Sequence, residues 1–127
     1  MHDPHSHAIP GLSTGWSSPA QRDCDGVIAL VAREKNVPIR LLIHKSRSRL
    51  PTARARQLAM YLSHVVLGRS LREIGEAFGR DRTTVSYACG LIEDMRDDPR
   101  FDEEVCLLER EIEASMQARR EERDHDA

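Results

Sequence analysis

Ser70-Leu71-Arg72-Glu73-Ile74-Gly75-Glu76-Ala77-Phe78, followed by Gly79-Arg80 and then by Asp81-Arg82-Thr83-Thr84-Val85-Ser86-Tyr87-Ala88-Cys89, carries the densest local signals in the chain. Ser70 with Glu73 three residues on is a capping box, which satisfies the open N–H groups at a helix start. Leu71, Ile74 and Phe78 then share one face of a short helix, and Gly75 leaves a smooth surface for a close neighbour. Gly79-Arg80 breaks that helix. Asp81 is placed to cap the next one, in which Val85, Ala88, Ile92 and Met95 recur at i, i+3, i+7 and i+10. Two helices of this size around a glycine-containing turn have the dimensions of a helix-turn-helix, with Ile74, Phe78 and Val85 at its internal contacts.

Working outward, every other element also reads as helical, and no run alternates long enough for a strand. Ser18-Pro19-Ala20-Gln21 is a helix start, with Ser18 as N-cap, Pro19 in the first turn and Gln21 closing a second capping box. Cys24, Val27, Ile28 and Val31 form its apolar stripe, and Asn36-Val37-Pro38 ends it. A short helix follows from Ile39 to Ile43. His44 to Pro51 is polar, basic and aperiodic, and reads as a loop. From Thr52 a third helix puts Leu58, Leu62, Val65 and Val66 on one face and ends near Gly68. Asp98-Pro99 starts a last helix with Phe101, Val105, Leu108, Ile112 and Met116 inward, fraying beyond about Gln117. Residues 1–17 hold no apolar period and read as a disordered lead-in. The expected architecture is all-α: a small domain of about six helices spanning 18–117, followed by a charged tail over 118–127.

With 127 residues, 39% apolar and 31% charged, the chain has room for one folded domain. No apolar run is long enough to span a membrane, and no secretory signal is visible, so a cytoplasmic protein is expected. Cys24, Cys89 and Cys106 are scattered without C-x-x-C pairing and read as small buried hydrophobes. His2, His5 and His7 read as polar tail, not as a metal site. With no ligand cluster, no phosphate loop and no nucleophile beside a base, neither cofactor nor catalysis is expected. The Asp97-Asp98 pair is explained by Asp98 capping the last helix.

The net charge of −2 conceals an uneven distribution. Residues 40–82 carry ten basic groups (Arg40, Lys45, Arg47, Arg49, Arg54, Arg56, Arg69, Arg72, Arg80 and Arg82) against Glu73, Glu76 and Asp81, a net of +7. Residues 83–127 sum to −8 and residues 1–39 to −1. Such a basic block is the footprint of a polyanion binder, although a solvated face is the other reading. Arg54 and Arg56 sit in the first turns of their helix, where the dipole disfavours cations unless an anion is bound there. At the tip of the second helix of the pair, Arg82, Thr83, Thr84, Ser86 and Tyr87 point away from the core-facing Val85. Arginine can donate two hydrogen bonds to guanine, and threonine can offer its methyl to thymine or its hydroxyl to phosphate.

The stretches Ala55 to Leu62, Ser70 to Gly79 and Arg80 to Cys89 together resemble the C-terminal DNA-binding domain of the bacterial replication initiator DnaA, over roughly residues 21–97. The resemblance implies double-stranded DNA, at DnaA-box-like sites, as the partner. Arg47 or Arg49, with Lys45 in the same basic loop, would enter the minor groove. Asp81, Arg82, Thr83 and Thr84 would lie at the major groove, the first three reading bases. Thr84 would contact or orient the backbone together with Arg54, Arg56, Gln57 and Arg80. Arg82 replaces the family's histidine, and the preceding turn is one residue shorter. No G-x-x-x-x-G-K-[ST] loop occurs, so no nucleotide is expected. The function implied is regulation of replication initiation or transcription, with DnaA or its regulators as further partners. The competing reading is a modulator that acts on the initiation machinery through protein contacts, using the acidic C-terminal part, with little DNA binding of its own.

Overall fold

The computed structural model describes residues 18–44 and 49–126, with side chains described as far as residue 122. Among them are six helices and no strand: α1 (Pro19–Lys35), α2 (Ile39–Ile43), α3 (Leu50–Val65), α4 (Leu71–Phe78), α5 (Arg82–Met95) and α6 (Pro99–Asp126). The lead-in of residues 1–17, with its three histidines, lies outside the described residues, as do Lys45 and Arg47. No helix of the described residues is long and apolar enough to cross a membrane.

Helix α3 is the centre, packed against α1 on one side and α5 on the other, while α4 bridges α5 and α1. The stripe expected from its sequence is too narrow. Ala55, Leu58, Ala59, Met60, Tyr61, Leu62 and Ser63 are all buried, and Val65 is exposed instead. A helix flanked on several sides buries nearly its whole circumference, so its apolar period is blurred. The buried Ser63 hydroxyl is satisfied locally by donating to the Ala59 carbonyl at 2.9 Å. The helix also begins two residues before the expected Thr52. Pro51 lies in its first turn, where a missing N–H costs nothing and the fixed φ suits a helix.

The caps mostly follow the sequence. Ser70 Oγ accepts from the Glu73 N–H at 3.1 Å and Glu73 Oε1 accepts from the Ser70 N–H at 3.0 Å, a complete box. At α1 only half of the expected box forms. Ser18 Oγ accepts from the Gln21 N–H, but the Gln21 amide donates forward to Asp25 at 2.8 Å. The Asp98 carboxylate accepts from the Arg100 N–H, as a capping role for it requires.

Helix α6 runs antiparallel to α1, since Lys35 pairs with Glu104 and Arg33, two residues earlier, with Glu111. Val105, Leu108 and Ile112 are buried beneath it. Arg96, just past α5, ties the helix down through Asp102 at 2.5 Å, Glu109 at 2.8 Å and the Tyr61 hydroxyl at 3.0 Å. Its guanidinium is held well above its ordinary value, first by the Glu109 hydrogen bond. Helix α6 continues past Gln117, through the residues read as a charged tail, to Asp126. The residues there, Ala118, Arg119, Arg120, Glu121 and Glu122, are strong helix formers, and Gln117 donates to Glu121 one turn on.

The cysteines behave less uniformly than expected. Cys24 is fully buried, and that burial pushes its thiol up to about 11. Cys89 is half-buried, and Cys106 is half-buried with its sulfur accepting from Arg96 at 3.2 Å.

Two measurements check this packing. Gly75 faces the Arg80 carbonyl, which an added Cβ would meet at 2.5 Å, whereas Gly26 on α1 has nothing within 4 Å. Gly75→Ala is therefore expected to cost about 1–3 kcal/mol in urea unfolding, while Gly26→Ala gains about 0.5–1 kcal/mol. The raised Cys24 thiol favours the folded state fully below its unfolded value near 9, and that contribution is lost as pH rises towards about 11. Thermal unfolding between pH 8 and 11 should thus show a steeper loss of stability in the natural chain than in Cys24→Ala.

Candidate nucleic-acid interface

The geometry of the α4–α5 pair is set by its turn. Gly79 takes a left-handed conformation, φ 69°, which a side chain would oppose. The N–H groups of Gly79 and Arg80 both reach back to the Gly75 carbonyl, the latter at 2.9 Å. With no side chain on Gly75, the Arg80 backbone lies directly against α4. Ile74, Phe78 and Val85 fill the angle between the helices and are fully buried, as expected.

Asp81 then caps α5, its carboxylate accepting from the Thr84 N–H at 2.8 Å. That backbone hydrogen bond, foremost, holds the carboxyl below the usual range. Asp81 therefore fixes the first turn of α5, and Arg82, Thr83 and Thr84 stand exposed on it, with Ser86 and Tyr87 beside them. Tyr87 is 67% exposed, unusual for an aromatic in a chain with so few. The positive end of the α5 dipole points out through the same turn.

The second part of the site is the carbonyl end of α2. Arg56 is 8% exposed, and its Nε and Nη2 donate to the carbonyls of Leu42 and Leu41, both at 2.7 Å. Arg80 donates through Nη2 to His44 O at 2.6 Å, and through Nη1 to Phe78 O at 2.8 Å and Ile43 O at 3.5 Å. Four successive carbonyls, from Leu41 to His44, are thus capped by two guanidiniums, a favourable use of cations at a helix C-terminus. Burial lowers the affinity of both groups for their protons, and Arg80 adds to the effect at Arg56. Arg56 and Arg80 are thus ties within the protein, bonded to the end of α2. The carbonyls of α2 offer Arg56 a negative partner near the start of its own helix.

The remaining basic residues lie around this tie. Arg49 is exposed at the start of α3, and Arg54 donates to Gln57 Oε1 at 3.0 Å, both side chains half-buried. One residue not singled out from the sequence also belongs here. Arg72 lines a shallow cleft together with Gly75, Glu76, Gly79, Arg80 and Arg82. Its position opposite the inward Ile74 and Phe78 was the available signal. The acidic helix α6 engages the other end of α5, at Arg96, about 20 Å along a 14-residue helix from the exposed turn. Among the described residues no group of histidine, cysteine and carboxylate side chains could hold a metal ion.

With this geometry in hand, comparison with known proteins is informative. The family model described as "Bacterial dnaA protein helix-turn-helix" matches residues 24–92, from α1 to late α5 and short of α6. A solved structure titled as that of a DNA replication initiation factor is similar with a TM-score of 0.67 and 31% identity. The similarity covers 73% of this chain and 29% of that one, so the chain corresponds to under a third of that protein's length. The resemblance carried by the α4–α5 stretch is thereby shown, and the chain belongs to the bacterial DnaA helix-turn-helix family.

Proposed function

We propose that the protein binds double-stranded DNA sequence-specifically at DnaA-box-like sites and regulates replication initiation or transcription there. Family membership supports DNA binding related to replication initiation. The observation that carries the finer reading is the exposed first turn of α5, preset by the Asp81 cap and placed beside the Arg80-bound end of α2.

In this reading the N-terminal turn of α5 enters the major groove. Arg82 donates two hydrogen bonds to a guanine edge, and Thr83 meets a base through its methyl or hydroxyl. Asp81 reaches a base only with the part of its carboxylate that the cap leaves over. Thr84 and the Arg54–Gln57 pair contact the backbone, while Lys45, Arg47 and Arg49 approach the adjacent minor groove, whose negative potential attracts arginine. Arg56 and Arg80 contact or orient the backbone as well, Arg56 chiefly by holding the end of α2. The role is one of binding, performed in the cytoplasm and without cofactor or nucleotide. DnaA and its regulators are further partners in this reading, reached through the shared DNA or by direct contact.

Selection from random duplexes with the full chain, followed by titration at several salt concentrations, tests this. If about 4–6 phosphates are neutralised, log affinity falls with log salt at a slope of about −4 to −5. Arg82→Ala is expected to cost about 1–3 kcal/mol and to relax preference at one base pair. Weak, salt-insensitive and sequence-indifferent binding overturns the proposal. In that event, pull-down of initiation proteins that survives Arg47→Ala with Arg82→Ala would establish the protein-contact reading instead.

A further inference from the structure

We propose that Arg72 on α4 is an additional contact to the DNA backbone, and that Glu76, one turn along, restrains it and so sets the affinity without altering which sequence is read. This inference rests on the DNA-binding reading above and extends it to the outer face of the first helix of the pair.

Arg72 and Glu76 are a poor pair for stabilising their helix. Their atoms approach only to 3.4 Å, with side chains 81% and 66% exposed, where water screens the attraction. The order is also reversed, because an acid preceding a base at this spacing is the favourable arrangement. Arg72 further lies in the first turn of α4, at the positive end of the helix dipole, where a cation is disfavoured. Neither the pairing nor the dipole therefore favours a cation at this position. An anion outside the helix would.

The surroundings fit a phosphodiester. The cleft lined by Arg72 also takes in the exposed Arg82 and, although its guanidinium is tied to α2, Arg80, and it shares Asp81 with the exposed turn of α5. Gly75 and Gly79 line it too, so no side chains from those positions keep a strand away. In a helix-turn-helix the first helix crosses the backbone while the second enters the groove, which brings a phosphate to this face. Glu76 is the acid on α4 that such a phosphate would meet. On binding, Arg72 exchanges the Glu76 carboxylate for the phosphate, and Glu76 is left facing a like charge.

The test uses the full chain and the duplex that it selects from random sequences, titrated by fluorescence anisotropy at several salt concentrations. Arg72→Gln should weaken binding about 3–10-fold, reduce the salt slope by about 1 and leave the ranking of sequences unchanged. Arg72→Lys should retain the slope. Glu76→Gln should tighten binding about 2–5-fold, and most of that gain should vanish in the Arg72→Gln background, because it acts through the arginine. Both side chains are exposed, so an unchanged melting temperature confirms an intact fold. Should Arg72→Gln leave affinity and slope unchanged while Arg82→Ala still relaxes specificity, the inference falls and the reading of the α5 tip stands. A natural chain that fails to bind any duplex sinks both.

Discussion

Two guanidiniums on the carbonyl end of α2 hold this surface together. Arg56 comes from the middle of the central helix and Arg80 from the turn between α4 and α5, yet both end on carbonyls from Leu41 to His44. A buried carbonyl such as that of Leu42 would be costly without a donor, and bonds to charged donors are worth more than neutral ones. The two cations repel each other, and the four acceptors between them offset that repulsion. The result links three elements far apart in sequence: the end of α2, the body of α3 and the turn that aims α5.

The turn itself depends on what is absent from it. Gly75 lacks the atom that would strike the Arg80 carbonyl, and Gly79 lacks the one that would oppose its left-handed backbone. Once the Arg80 backbone lies against α4, its side chain has only a short way to reach Ile43 and His44. Immediately afterwards Asp81 starts α5. A glycine, an arginine and an aspartate thus convert a local chain reversal into a fixed relation between the exposed first turn of α5 and the carbonyl end of α2.

How much of this could be read beforehand follows the range of each interaction. The Ser70–Glu73 box, the Asp81 cap and the smooth Gly75 surface involve partners within five residues, and the chain order displays them directly. The roles of Arg56 and Arg96 do not show in this way. Arg56 answers carbonyls 14 and 15 residues earlier, and Arg96 gathers Tyr61, Asp102, Cys106 and Glu109 from two other helices. Periodicity failed at α3 for a related reason, since a helix enclosed by neighbours has no single apolar face to reveal. In the sequence Arg72 is one of ten basic residues over 40–82, and only the fold places it beside the Asp81–Arg82 end of α5.

The antiparallel course of α6 has an electrical consequence. By lying along α1 and fastening at Arg96, it commits Asp102, Glu104, Glu109 and Glu111 to internal ion pairs with Arg96, Lys35 and Arg33. A carboxylate held against a cation contributes little to the field outside the molecule, so α6 repels a distant anion less than its composition alone implies. Opening those ion pairs would cost the packing of α6 and free that negative charge at the same time, which couples the fastening of this helix to the field around the protein.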